Sequence, residues 1–300
     1  IRPHTSVLRT LKELLAFSWP IFITDMANYL FNRFDIFTVA VIGTTEEVGI
    51  YSVAMKAYVT ITMIPLNIAL ALFPYYGERY GRDELEAIER STLLVSRFLA
   101  LFFTPVAMGL AAVAKPVIMI FAGRKYVSSA PVLALISFFA SLTALTPMLG
   151  YLLITHKRTK AFMTANLSSI ACSLALTPLL LAWCGPLLAT ALMKSLALVF
   201  LLVFYLIFTR DLARIDSTAL AKGLVGSALM AMVVFIVQTW LERAVFLPIY
   251  VFLGALIYAA WLRVVRGLSH EDVLRISRVF PLRLRGLVLR VGKLIAPPDQ

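Results

Sequence analysis

The sequence predicts an all-α protein that crosses a membrane eight times. Of its 300 residues, 61% are hydrophobic and only 15% are charged, and the mean hydropathy is +0.89. Apolar stretches of about 20 residues, the length that spans a bilayer as a helix, recur along the chain. Because these stretches are continuous rather than alternating, they favour helices over the strands of a membrane barrel.

Short polar segments or turn residues separate eight such stretches. The predicted spans are residues 14–42, 49–76, 91–121, 131–155, 161–183, 186–208, 219–241 and 246–265. Pro105 and Pro116 predict kinks in the third span, because proline removes a backbone donor. The Cys184–Gly185 pair predicts a tight turn between the fifth and sixth spans. The polar segment Gly77–Arg90 predicts a helix of the soluble type.

The spans group into three units. We expect a six-helix transmembrane lobe at 1–210, two additional transmembrane helices at 211–266 and a cytoplasmic tail at 267–300. Basic residues recur in the tail among Leu, Val and Ile, which fits an amphipathic helix on anionic lipid or a plain positive-inside anchor. The chain begins with Ile1 rather than Met, and we expect further sequence upstream.

The net charge of +12 does not indicate a nucleic-acid partner, because the basic residues cluster in short loops between spans. Lys and Arg are concentrated on the side that holds the N-terminus, so the positive-inside rule places both termini in the cytoplasm. The three histidines are scattered, and Cys172 lies in the middle of the fifth span while Cys184 lies just after its end. We therefore predict no metal site, no cofactor and no disulfide framework.

The first span carries charged residues in its interior. At about 100° per residue, its polar side chains share roughly half of the helix surface. They are Asp25, Asn28, Tyr29, Asn32, Arg33 and Asp35. Ionisable residues inside a membrane are costly and mark functional sites. We therefore expect this side of the helix to face protein or a water-filled cavity.

Two further cations lie inside spans, Lys56 on the second and Lys194 on the sixth. At about 1.5 Å per residue, they share one layer in the outer half of the membrane with Arg33 and Asp35. Asp35 and Lys56 lie at matching depth on neighbouring helices, so one interpretation is a simple ion pair. The layer then still holds an excess of positive charge, and an unpaired buried cation is costly. A water-filled cavity or an anionic ligand would reduce that cost.

Polar residues also follow one face of the second and fifth spans. Lys56, Thr60 and Asn67 share a face of the second span. On the fifth, the polar face runs from Asn166 to Thr177, and it either lines a cavity or holds neighbouring helices together. The candidate substrate-binding residues are Arg33, Lys56, Lys194, Asp25, Asp35, Asn28, Asn32 and Asn67.

Five segments, in their order and spacing, carry a resemblance to a known family. They are FSWP at Phe17–Pro20, VGIYSVAMK at Val48–Lys56, PLNIALALFP at Pro65–Pro74, IFAGRKYVSSAPVLALI at Ile120–Ile136 and GYLLITHKRTK at Gly150–Lys160. From Lys12 to Arg210 the chain resembles the polysaccharide-biosynthesis exporters, the lipid-linked oligosaccharide flippases of the multidrug/oligosaccharidyl-lipid/polysaccharide superfamily. The last two spans match that family only in hydropathy and position.

The resemblance implies two six-helix lobes around a central cavity, two extra helices and transport by alternating access. The first six spans here resemble the second lobe, so the expected partners include a missing N-terminal lobe and membrane lipids. The implied substrate is a polyprenyl-pyrophosphate-linked glycan, moved across the cytoplasmic membrane for surface polysaccharide or glycoprotein biosynthesis. The resemblance also implies that Arg33, Lys56 and Lys194 face its phosphate or sugar.

Other functions stay open. An ion-coupled multidrug antiporter of the same superfamily would use Asp25 and Asp35 as proton or sodium sites. An intramembrane enzyme of polyprenyl metabolism needs a carboxylate-rich metal site or a catalytic base. The predicted outer loops hold only three acids, so we expect no enzyme. A structural membrane scaffold is the last alternative. The excess of Arg and Lys over Asp favours an anionic substrate and hence the flippase.

Overall fold

The computed structural model describes residues 7–241 and 244–265, which form α-helices joined by short turns. The helices are α1 (Val7–Ile42), α2 (Thr45–Gly81), α3 (Leu85–Phe98), α4 (Thr104–Ala112), α5 (Ala114–Phe121), α6 (Ala130–Leu142), α7 (Thr146–Thr155), α8 (Thr159–Thr209), α9 (Ser217–Leu241) and α10 (Leu247–Val264). Seven helical stretches of this part are long and apolar enough to cross a membrane, and α7 is a shorter apolar helix. The all-α polytopic fold class is confirmed. The predicted tail at 267–300 lies outside the described residues.

The 51-residue helix α8 is a hairpin of two arms, 159–184 and 186–209. Gly185 adopts φ +72° and ψ 172°, which is not helical, and separates the arms. Arg158 at the base of the first arm contacts Asp211 at the base of the second, and Asn166 contacts Tyr205. These pairs are spaced almost symmetrically around Gly185, so the arms run antiparallel. The predicted turn at Cys184–Gly185 is confirmed, and the chain forms eight passes in the described ranges.

The base of this hairpin is closed by a forked ion pair. The two terminal nitrogens of Arg158 donate to the two carboxylate oxygens of Asp211 at 2.9 and 2.6 Å. The same guanidinium donates to the carbonyl of Phe208 at 3.2 Å. The hydrogen bonds from Arg158 lower the pKa of the Asp211 carboxyl below its usual value. The two arms are therefore fixed to each other at both ends.

Prolines interrupt the third and fourth passes. Before Pro105 the helix widens into a π turn, Leu99–Phe103, and before Pro116 it breaks at Val113. Both kinks predicted in the third pass are confirmed. The fourth pass was predicted as continuous but ends α6 at Leu142 and restarts as α7 at Thr146. The reason is Pro147, which has no N–H for the carbonyl of Thr143.

Two predictions about polar segments are wrong. Gly77–Arg90 is not one helix: α2 ends at Gly81, Asp83 takes φ +60°, and α3 begins at Leu85. The segment 43–48 was expected to be a loop, but α2 begins inside it at Thr45. Thr44 accepts a hydrogen bond from the backbone of Glu47, whose carboxylate accepts one from the backbone of Thr44. This capping box satisfies backbone groups that a helix start leaves free.

Buried apolar side chains form two main clusters. The larger cluster draws on α2, α4, α6, α7 and α8. The second is built around Tyr250 and Met230 and joins α9 and α10 to the third pass. There the Tyr258 hydroxyl donates to the carbonyl of Leu101 at 2.8 Å, the carbonyl that Pro105 leaves without its helical donor. The last two helices thus dock on the π turn, while the division at 210–211 stays a prediction.

Replacing Gly185 with Ala tests the hairpin turn. A residue with a Cβ at this combination of positive φ and extended ψ costs about 1–3 kcal/mol, and no other atom lies near the added methyl group. The free energy of unfolding should fall by about this amount in a denaturant titration of the purified protein. Gly77→Ala, also in open space but inside the regular helix α2, is the matched control and should be neutral or stabilising by up to about 1 kcal/mol. Equal effects of both changes would contradict the turn.

Candidate functional site

A buried ion pair joins α1 to the second arm of α8. The Lys194 ammonium lies 2.6 Å from Oδ2 of Asp35, and the two residues are 9% and 1% exposed. Lys194 also donates to the side-chain oxygen of Asn32 at 3.1 Å. Asp35 accepts further hydrogen bonds from the Tyr51 hydroxyl at 3.2 Å and from the backbone N–H of Ile36 at 2.7 Å. Both charges are therefore paired and hydrogen-bonded, as burial in an apolar bundle requires.

The partner of Asp35 differs from the one considered from the sequence. Lys56 lies at a similar depth on α2, but its side chain is exposed and makes no ion pair within the described ranges. The position of a residue along a helix determines its depth in the membrane but not the direction in which its side chain points. The side of α1 that carries Asp35 packs on α8, which places Lys194 against the carboxylate. The Asp35–Lys56 pairing is therefore wrong.

A second polar network lies next to the ion pair. The amide nitrogen of Asn28 donates to the side-chain oxygen of Asn166 at 3.2 Å. The amide nitrogen of Asn166 lies 2.7 Å from the Tyr205 hydroxyl and 2.8 Å from the carbonyl of Phe162. This network connects α1 to both arms of α8. All of its members except the half-buried Asn28 and Phe162 are buried.

Both networks border one cavity. It has a volume of about 570 Å³ and lies between α1, α2, α7 and the two arms of α8, in the size range of small-molecule pockets. Most of its wall is apolar. The polar or aromatic lining residues are Asp25, Asn28, Phe31, Asn32, Tyr58, Thr62, Phe103, Thr143, Thr146, Tyr151, Phe162, Asn166, Ser169, Lys194 and Tyr205.

The candidate residues divide into two groups. Asp25, Asn28, Asn32 and Lys194 line the cavity, and Asp35 lies behind Lys194. The carboxylate of Asp25 is exposed to the cavity and has no ion-pair partner in the part of the chain that the structure describes. The other candidates, Arg33, Lys56 and Asn67, are exposed on α1 and α2 outside the cavity wall.

The exposed cations Arg33 and Lys56 have charges that no acid among the described residues neutralises. The Arg33 guanidinium lies 5.4 Å from the centre of the Tyr29 ring on the same helix, a cation–π contact that leaves its donors free. Neither Arg33 nor Lys56 forms a salt bridge with an acid among the described residues. Lys56 shares its exposed face of α2 with Thr60 and Asn67. The predicted layer of excess positive charge is therefore split between a paired Lys194 and two cations outside the cavity.

Several lining residues were not recognised from the sequence. Tyr58, Tyr151 and Tyr205 look like ordinary aromatic residues of apolar spans, and only their position on cavity-facing sides distinguishes them. On the fifth pass, Asn166 and Ser169 line the cavity. Asn166 also bonds to Asn28 on α1 and to Tyr205 on the other arm, so it serves both expected roles. Ser173 and Thr177 instead bond to carbonyls of their own helix.

Comparison with known proteins gives one family. Residues 1–131 match the sequence model of a family described as polysaccharide biosynthesis protein. The resemblance to polysaccharide-biosynthesis exporters is confirmed over these residues. They hold Asp35 but not Lys194. No curated protein and no solved structure matches the chain.

Lys194→Met tests the buried pair. The change leaves Asp35 as an uncompensated buried charge, which should lower the free energy of unfolding by about 3–5 kcal/mol. Lys56→Met is the matched control, because it removes an exposed lysine with no acid partner and should change stability by at most about 0.5 kcal/mol. The measurement is a denaturant titration of each purified variant. A larger loss for Lys56→Met than for Lys194→Met would contradict the assigned pairing.

Proposed function

We propose that the protein moves a polyprenyl-pyrophosphate-linked glycan across the cytoplasmic membrane, as part of a larger two-lobe transporter. The family match to polysaccharide biosynthesis and the multi-pass helical fold support the general class. The observation that carries the proposal is a cavity with polar side chains in its wall inside an apolar bundle, bordered by a helix face whose cations have no ion-pair partner among the described residues. A lipid-linked glycan has the same two parts, a polar sugar and an anionic pyrophosphate.

The exposed face of α1 and α2 supports a partner lobe. These two helices are the least buried of the candidate spans, with 11% and 17% of their most apolar windows buried against 44% for the third pass. They also carry Arg33 and Lys56 inside the apolar region. Charged side chains in spans face water or protein rather than lipid, because lipid exposure is costly. A second lobe across a water-filled space satisfies this constraint.

In the proposed mechanism the bundle alternates between states open to either side of the membrane. The pyrophosphate contacts Arg33 and Lys56, which offer fork-shaped and point-like donors to phosphate oxygens. The polyprenyl chain stays in lipid throughout, so its apolar surface is never exposed to water. We propose no catalytic step, because moving the glycan requires no bond to form or break.

A second candidate is the ion-coupled antiporter for cationic drugs. The observation that favours it is Asp25, an exposed carboxylate at the middle of α1 that lines the cavity without an ion-pair partner in the described ranges. Carboxylates inside membrane spans mark proton and ion pathways. The two candidates differ in what the cell loses when the protein is removed.

Deletion of the full-length gene tests the proposal. We expect lipid-linked glycan to accumulate on the cytoplasmic leaflet and surface glycan to fall, measured by extraction of the lipid pool and by surface labelling. An Arg33→Gln/Lys56→Gln double variant should restore transport at a rate lower by about tenfold or more, since hydrogen bonds to charged groups contribute about 1.5–3 kcal/mol. Lys115→Gln, which removes an exposed lysine at the start of α5, should restore it fully.

The outcomes separate the candidates. An unchanged surface glycan profile in the deletion strain would contradict the flippase. Unchanged glycan together with a higher sensitivity to cationic drugs would establish the antiporter instead.

A further inference from the structure

The charges around the cavity argue against phosphate as its occupant. Asp25 and Lys194 are the only ionised side chains in the described wall. Lys194 is already neutralised by Asp35 at 2.6 Å, so Asp25 leaves the cavity with a net negative charge. An entering phosphate meets repulsion from Asp25 and competes with Asp35 for the ammonium. The unpaired cations Arg33 and Lys56 do not reach the wall.

The same wall also holds hydrogen-bonding groups without a free charge. The ammonium of Lys194 has three donors and uses two, on Asn32 and Asp35. The third donor stays available to a ligand that brings hydroxyl oxygens into the cavity, and Asn28, Asn32 and Asn166 add amide groups to the wall.

Aromatic rings complete this chemistry. Tyr58, Tyr151 and Tyr205 line the wall together with phenylalanines, and no hydrogen bond of the described residues involves the hydroxyls of Tyr58 and Tyr151. Sugar rings present C–H faces that pack on aromatic rings and hydroxyls that pair with amides and phenols. The volume of about 570 Å³ falls in the range of small-ligand sites.

We propose that this cavity, lined by helices of one lobe, binds an uncharged sugar unit of the glycan and excludes its pyrophosphate. The proposal rests on the proposed function and adds which part of the substrate the cavity takes. The free donor of Lys194 and the hydroxyls of Tyr58 and Tyr151 contact sugar hydroxyls. Asp25 sets the selectivity against anions at the exposed wall.

A cysteine reporter tests the proposal on the full chain in membranes. Cys172 and Cys184 are exposed and are first replaced by Ser. Thr62→Cys, at a half-buried position of α2 on the cavity wall, is then modified with a neutral or an anionic thiol reagent of similar size. The neutral reagent should react faster, and adding Asp25→Asn should raise the rate of the anionic reagent by about tenfold while leaving the neutral rate unchanged. Thr218→Cys, exposed at the start of α9 and outside the cavity, is the matched control and should show no effect of Asp25→Asn.

Protection identifies the ligand. The probes are the phosphate-free glycan, released from the polyprenyl-linked pool of the producing cells, and inorganic pyrophosphate. Saturating glycan should slow modification of Thr62→Cys by about tenfold or more, as occupancy excludes the reagent, and pyrophosphate should not. Neither probe should protect Thr218→Cys.

The results separate this proposal from the flippase itself. Protection by pyrophosphate, or by neither probe, while the deletion strain still accumulates lipid-linked glycan, overturns the sugar assignment and leaves the transport function standing. Absence of accumulation overturns the flippase. Faster reaction of the anionic reagent at Thr62→Cys overturns the charge argument by itself.

Discussion

The organisation of the site depends on the buried ion pair between Asp35 and Lys194. It joins α1 to the second arm of α8, and through the Tyr51 hydroxyl it also holds α2. Two desolvated charges are tolerated in an apolar bundle only when they are close and hydrogen-bonded, and this pair meets that condition. Asp35 neutralises Lys194, the only cation in the described part of the cavity wall. The ion pair therefore leaves this wall without a free positive charge.

Interruptions in the helices create the space beside this pair. Pro147 ends α6 early, and the restarted helix α7 places Tyr151 on the cavity wall. Gly185 reverses α8, so that Asn166 on one arm and Tyr205 on the other meet across the hairpin. Residues that break helices thus place polar groups from distant parts of the chain around one volume. The apolar faces that remain fit lipid, and the face of α1 and α2 with Arg33 and Lys56 fits water or a partner lobe.

The sequence was sufficient for the eight passes, the kinks at Pro105 and Pro116 and the turn at Gly185, because each depends on local composition. It was not sufficient for the pairing of charges. Asp35, Lys56 and Lys194 lie at similar depths, but which of them meet depends on helix rotation and neighbours. Arg33 is a second example of a residue whose direction depth does not give. It is two residues from Asp35, which places it about 200° around the helix, so it points away from the pair. Asn28 and Asn32 were found because they share the side of α1 that packs on α8.

A double-mutant cycle on the buried pair tests the central claim most directly. The free energy of unfolding is measured for Asp35→Leu, for Lys194→Met and for both together. If the two charges stabilise each other in a desolvated site, the double variant will be more stable than either single variant, because neither charge is left alone. If the two single effects simply add in the double variant, the charges do not interact, and the account of the cavity based on a neutralised Lys194 is contradicted.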